Sequence, residues 1–136
     1  MTTLLTYRGA VYTWHCDHLG HMNNMWYAGK FDEACWQLLS MLGLTPTRFA
    51  QDGTGMAAVE QHIQYKRELK AGDVITVRSE VLEFAGKKIR FRHEMVNGET
   101  GEVAAVTTLL GIHMDSVARK ACDFPGELLA QSSKTT

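Results

Sequence analysis

The chain has 136 residues, the usual size of one domain and enough to bury a real core. Its 14 basic and 15 acidic residues leave a formal net charge of −1, which argues against a general nucleic-acid binder. Cys16, Cys35 and Cys122 are too widely spaced for a disulfide framework or a CxxC metal pair, residues 1–10 lack a secretory pattern, and no apolar run nears the roughly 20 residues that span a bilayer, so a reduced, cytoplasmic setting without membrane is expected.

Tyr7 to Trp14 reads as a first strand, with a bulge at Gly9. Asn24 to Leu42 reads as one long helix, because Tyr27, Phe31, Ala34, Cys35, Leu38 and Leu42 recur at helical spacing. Lys30, Glu33, Gln37 and Ser40 form its wet side, while Trp26, Trp36, Leu39 and Met41 widen the apolar surface. Gly43 is the expected stop, with Pro46 beyond it. Residues 45–55 read as a loop.

From residue 57 the period becomes two. Ala57, Val59, Ile63, Tyr65 and Leu69 share one side of a strand, and Glu60, His62, Gln64 and Lys66 the other. Ala71-Gly72-Asp73 turns into a strand over 74–84, and Ala85-Gly86-Lys87 into another over 88–96. Asn97-Gly98 precedes a last strand over 102–114, whose unbroken apolar run suits a strand covered on both faces. Residues 131–136 are expected to be a disordered tail to a single domain spanning 1–136. The prediction is α+β: a five-stranded antiparallel sheet and one long helix, which leaves an edge or face for a partner.

The chemistry concentrates between Trp14 and Tyr27. Asn23 and Asn24 are suited to cap the helix, and a helix start carries partial positive charge. Asp17 lies one short loop away. A carboxylate beside an anion-stabilising helix end is a layout for attacking a carbonyl and holding the oxyanion.

Asp17-x-x-Gly20-His21-Met22-Asn23-Asn24-x-x-Tyr27 resembles the hotdog-fold acyl-CoA thioesterases of the 4-hydroxybenzoyl-CoA thioesterase type. Residues 65–73 and 124–128 are similar to that family's turn after its second strand and its closing segment. The resemblance implies a hotdog fold, a curled sheet wrapped around one central helix, and hydrolysis of an acyl-CoA thioester without metal or organic cofactor. It implies Asp17 as catalytic acid, the Asn24 backbone amide as oxyanion donor, and Gly20, His21, Asn23 and Tyr27 as substrate-binding positions. It also implies a homodimer or homotetramer with active sites between subunits. Many members carry an acid two residues before the catalytic one; here that residue is His15.

Asp17 can attack the carbonyl itself or act as base toward water, and both routes stay open. Glu60 and His62 share a polar strand face, and Glu60 is the stronger candidate for reaching a site across a subunit boundary. Lys87, Lys88, Arg90 and Arg92, with Lys66 and Arg67, form the densest basic cluster, suited to coenzyme A phosphates; Lys88 and Arg90 are the candidates taken from it. His21 reads as loop structure, and His15 and His18 as lining of a pocket mouth. Trp14, Trp26 and Trp36 read mainly as core, although Trp14 and Trp26 flank the site. The alternatives are a non-catalytic acyl-CoA or acyl-carrier binding module, a zinc hydrolase using the histidines of this loop, and a dehydratase using His62.

Overall fold

The computed structural model describes residues 3–135, with side chains through residue 131. The strands are β1 (Leu4–Ala10), β2 (Thr54–Tyr65), β3 (Val74–Ala85), β4 (Lys88–Asn97), β5 (Val103–Asp115) and β6 (Lys120–Ala121). The helices are α1 (Asn24–Met41), α2 (Pro46–Asp52) and α3 (Gly126–Thr135). Every strand pairing is antiparallel, in the order β1-β3-β4-β5-β2, with β6 on β5. Among the described residues, no helix is long and apolar enough to cross a membrane.

α1 begins and ends where its capping residues place it. The Asn23 side chain accepts from the Met25 N–H at 3.0 Å. At the other end Gly43 takes φ +92°, its N–H reaches the Ser40 carbonyl, and the Leu44 N–H reaches the Leu39 carbonyl. That is a Schellman stop, sealed by the buried pair Leu39 and Leu44.

Strict alternation on β4 buries Ile89, Phe91, His93 and Met95 and sends Lys88, Arg90, Arg92 and Glu94 outward. The inward face of β3 and β4 meets Tyr27, Phe31 and Ala34 of α1 in one cluster with Ile75, Val77 and Met95. Leu38, Leu39, Leu44, Ile89, Phe91, Phe124 and Leu128 form a second cluster at the other end.

The structure departs from expectation at several points. β1 starts at Leu4 and ends at Ala10; Thr13–His15 form a 3-10 turn. Residues 45–55 are not all loop: Thr45 caps α2 through the Arg48 N–H, with Pro46 at its first position. Residues 131–135 continue α3, and residue 136 lies outside the described residues. Short β6 adds a sixth strand to the sheet.

β2 is not one uniform period. Ala58 pairs with Gly111 and Glu60 with Leu110, so Val59 bulges out, 56% exposed. Met56 and Ala58 therefore share a face with Gln61 and Ile63, and Ala57 shares the outer face with Glu60 and His62. Lys30 also breaks its pattern, being only 4% exposed. Its ammonium donates to the Tyr7 hydroxyl at 3.1 Å and the Ala10 carbonyl at 3.3 Å, which satisfies it inside.

Candidate active site

The loop from Cys16 to Met22 folds back on itself. Cys16 and Met22 form an isolated antiparallel bridge. The Asp17 N–H donates to the His21 carbonyl at 3.1 Å, the Asn23 N–H to His15 at 2.9 Å, and the Met22 N–H to Leu69 at 2.7 Å. Gly20 closes the tip at φ +86°, a conformation other residues rarely adopt, and donates to the Asp17 carbonyl.

The Asp17 carboxylate is oriented by two donors. Oδ1 accepts from the Leu19 N–H at 2.9 Å and Oδ2 from the Asn23 side-chain amide at 3.0 Å. These bonds, that of Asn23 first, hold its carboxyl below the usual aspartate range. Asn24 follows as the first residue of α1. Its N–H has no intrahelical acceptor by geometry, and none elsewhere among the described residues.

Asp17, His21, Asn23, Asn24 and Tyr27 line one open cleft of about 320 Å³. Tyr65, Lys66, Arg67 and Glu68 form its opposite wall. Buried Tyr27 donates its hydroxyl to the Arg67 carbonyl at 3.2 Å and meets Tyr65 edge-on at 5.2 Å. His21 Nε2 lies 2.9 Å from Glu68, tying the loop to the far wall. A second cleft, of about 410 Å³, continues past Lys66 and Arg67 to Lys70, Asn97 and Thr100. One chain thus offers an oriented carboxylate and an open backbone donor in a shared cleft, with cations along its extension. That set can hold an electrophilic carbonyl, activate an attacker and bind a phosphorylated carrier.

Residues 11–132 match the family described as the Thioesterase-like superfamily. The chain belongs to that superfamily. Curated relatives include an L-carnitine dehydrogenase/betainyl-CoA thioesterase of Agrobacterium fabrum, 31% identical over 83% of this chain and 23% of that protein. The chain thus spans about a quarter of that relative's length. A betainyl-CoA thioesterase of Pseudomonas aeruginosa is 25% identical, over 94% of this chain and 80% of that one. A Staphylococcus aureus protein solved in complex with CoA shares the fold with a TM-score of 0.90 at 21% identity, covering 98% of this chain and 85% of its own. The relatives are named for betainyl-CoA, not for 4-hydroxybenzoyl-CoA. The curled antiparallel sheet is that of hotdog thioesterases.

In this thioesterase-like chain the other expected site residues are dispersed. Gly20 shapes the turn and does not line the cleft. Glu60 is exposed on β2, and Lys88 and Arg90 stand on the outer face of β4, so none joins the Asp17 cleft within one chain. Lys88 lies 3.5 Å from Glu83. Alternation sends them outward, whereas the cleft forms where β2 ends and α1 begins. Lys66 and Arg67 are the members of the expected basic cluster that reach it.

The loop histidines diverge: His15 is buried, His18 is exposed, and His21 faces Glu68. Among the described residues, no three His, Cys, Asp or Glu side chains converge to hold a metal ion. Trp14 and Trp36 are not core; they are 63% and 50% exposed. Glu68 went unassigned in the sequence, although it lies within the 65–73 segment that resembles the family's turn.

Proposed function

We propose that this chain hydrolyses an acyl-CoA thioester to free acid and CoA, on a hotdog fold whose sheet wraps α1 as its central helix. The observation that carries the reading is the pairing of Asp17 with the open Asn24 N–H in one cleft of a thioesterase-like chain. The Asn24 N–H polarises the thioester carbonyl, aided by the start of α1. Asp17 either adds to the carbonyl carbon, giving an anhydride that water then opens, or takes a proton from attacking water. In either route the C–S bond breaks, and the CoA sulfur leaves as thiolate and is protonated by solvent. No metal or organic cofactor takes part. Lys66 and Arg67, with Lys70 beyond, take the phosphates of the carrier.

The acyl groups to try first are those in the names of the relatives, betainyl-CoA above all. The 4-hydroxybenzoyl group belongs in the same panel, because the Asp17–Tyr27 motif raised it. The assembly in this reading is a homodimer or homotetramer in a reduced, cytoplasmic setting. Its support is the open edge of β2, where Val59 and Tyr65 are 56% and 48% exposed. Glu60 then faces a second copy. Sedimentation equilibrium of wild type beside Val59→Lys tests it: a monomeric wild type removes the assembly.

Free-thiol release over a panel of acyl-CoAs tests the activity. Asp17→Asn and Asp17→Ala are expected to lose about 10³-fold in kcat. Acyl-CoA that binds without turnover, and binds Asp17→Asn equally well, would instead make this a binding module.

A further inference from the structure

The Asp17 cleft holds a pair of groups that the proposed steps do not use. His21 and Glu68 both line it, and His21 Nε2 stands 2.9 Å from the Glu68 carboxylate. A carboxylate only accepts, so Nε2 carries the hydrogen, and Nδ1 of the neutral ring keeps its lone pair. Nδ1 has no partner among the described residues. Among those residues His21 is also the one histidine in the lining. Its charge reaches the Asp17 carboxylate, after the two hydrogen bonds that orient that group.

The pair does more than tie two walls together. Glu68 sits between two residues already fixed to the other side. The Tyr27 hydroxyl donates to the Arg67 carbonyl at 3.2 Å, and the Met22 N–H to the Leu69 carbonyl at 2.7 Å. Met22 is also the chain neighbour of His21. The backbone on both sides is therefore set without the ion pair. Its side chains are 33% and 68% exposed, so screened attraction between them adds little to stability. What the pair does fix is a ring. An imidazole whose hydrogen is held by a carboxylate, with its other nitrogen open in a reactive cleft, is placed to act as a general base.

One step of the reaction lacks such a base. If Asp17 adds to the thioester carbon, its carboxylate is taken up in the anhydride and cannot activate the water that opens it. We propose that His21, oriented by Glu68, is the base for that second half of the reaction, with Asp17 as the nucleophile of the first. The inference rests on the thioesterase reading above. The water oxygen bonds to the acyl carbon, its proton passes to Nδ1, and the bond from that carbon to the Asp17 oxygen breaks. Asp17 leaves as carboxylate, the product leaves as the acid, and the imidazolium returns its proton to solvent.

The test follows thiol release by rapid mixing, with the acyl-CoA of the panel that wild type turns over fastest, betainyl-CoA being tried first. His21→Gln should release about one CoA per active site in a burst, then turn over about 10²-fold slower than wild type. Hydroxylamine added during that pause should release the acyl group as its hydroxamate, and Asp17→Asn should show neither burst nor hydroxamate. Imidazole added to His21→Ala should restore turnover. Glu68→Gln, which keeps an acceptor without the charge, should show the same burst with a smaller loss, about 10-fold. It also serves as the deciding variant if His21→Gln does not fold. Lost turnover without a burst or a captured acyl group overturns the base role, as does turnover equal to wild type, and both outcomes leave the thioesterase standing. Wild type that releases no thiol from any member of the panel ends both readings.

Discussion

Asn23 holds Asp17 with the nitrogen of its side-chain amide, at 3.0 Å, and holds α1 with the oxygen, at 3.0 Å from the Met25 N–H. One residue therefore does two separable things. Asn23→Ala loses both: about 1 kcal/mol of capping and the alignment of the carboxylate. Asn23→Ser restores the cap but not the donor to Asp17. Thermal unfolding beside kcat should show serine recovering the melting temperature and leaving kcat depressed. If serine restored both, the bond to Asp17 would carry no weight in the reaction.

On the proposed mechanism the same bonds set the acid limb of the pH profile. The ionised form of Asp17 is then the reactive one, and its folded pKa lies below the ordinary value. Activity should therefore persist as pH falls through the usual aspartate range and drop only at the lower folded value. Asn23→Ala removes the largest cause of the shift, so its acid limb in kcat/KM should move up toward about 3.9. The accompanying stability is present above the unfolded pKa and lost as pH falls through the folded one.

His93 points the other way. It is fully buried between Phe31 and Phe91, its Nδ1 bonds the Ser79 hydroxyl, and its Nε2 has no partner among the described residues. Burial pushes its pKa down to about 4. The unfolded chain then binds a proton near pH 6.5 that the folded chain refuses until about 4. Stability should fall as pH drops through that window, by up to about 3 kcal/mol, and no further from this group below it. Denaturant unfolding from pH 7 to 4 should show the slope, and His93→Gln should flatten it.

Gly43 stops α1 at φ +92°, and a Cβ added there would lie 2.9 Å from Leu128 Cδ2 on α3. Gly43→Ala therefore pays twice, in backbone strain and in a clash, for an expected loss of about 2 kcal/mol. Leu128→Ala removes the clash but empties part of the second cluster. A double-mutant cycle in urea should return a favourable coupling of about 0.5–1 kcal/mol. Zero coupling would mean that α3 moves aside at no cost.

Lys66 and Arg67 are exposed, and Arg67 lies 3.2 Å from an exposed Glu102, a pairing weak enough to yield to a phosphate. Substituting both by Ala should raise KM for acyl-CoA about 5- to 10-fold with kcat little changed. The wild-type KM should rise with salt and the variant's less so. A pantetheine thioester, lacking the nucleotide, should not distinguish the two proteins.

Legibility in the sequence followed how local the cause was. α1 was readable to within one residue because Asn23 and Gly43 cap it through neighbours in the chain. The faces of β3 and β4 were readable because each buries one side. Lys30 was misplaced because its partners, Tyr7 and Ala10, lie on β1. α2 carried a start signal in Thr45-Pro46, but Asp52-Gly53 at its end reads equally as loop. Asp17 and Asn24 stood out because the motif from Asp17 to Tyr27 resembles that of the hotdog thioesterases, whereas the far wall of their cleft depends on where β2 finishes. Trp14 and Trp36 misled because bulky rings are more often buried than displayed.

Val59 works as a joint in β2. Ahead of it the even-numbered side chains turn toward α1, and behind it the odd-numbered ones do. A chain copied without this single residue would run as an unbroken ladder, Ala58 opposite Gly111 and Glu60 opposite Leu110, with Met56 and Ala58 still turned toward α1. A one-residue loss at Val59 should therefore leave both halves facing as they do, and a designer grafting new residues onto β2 as it stands must keep two reading frames.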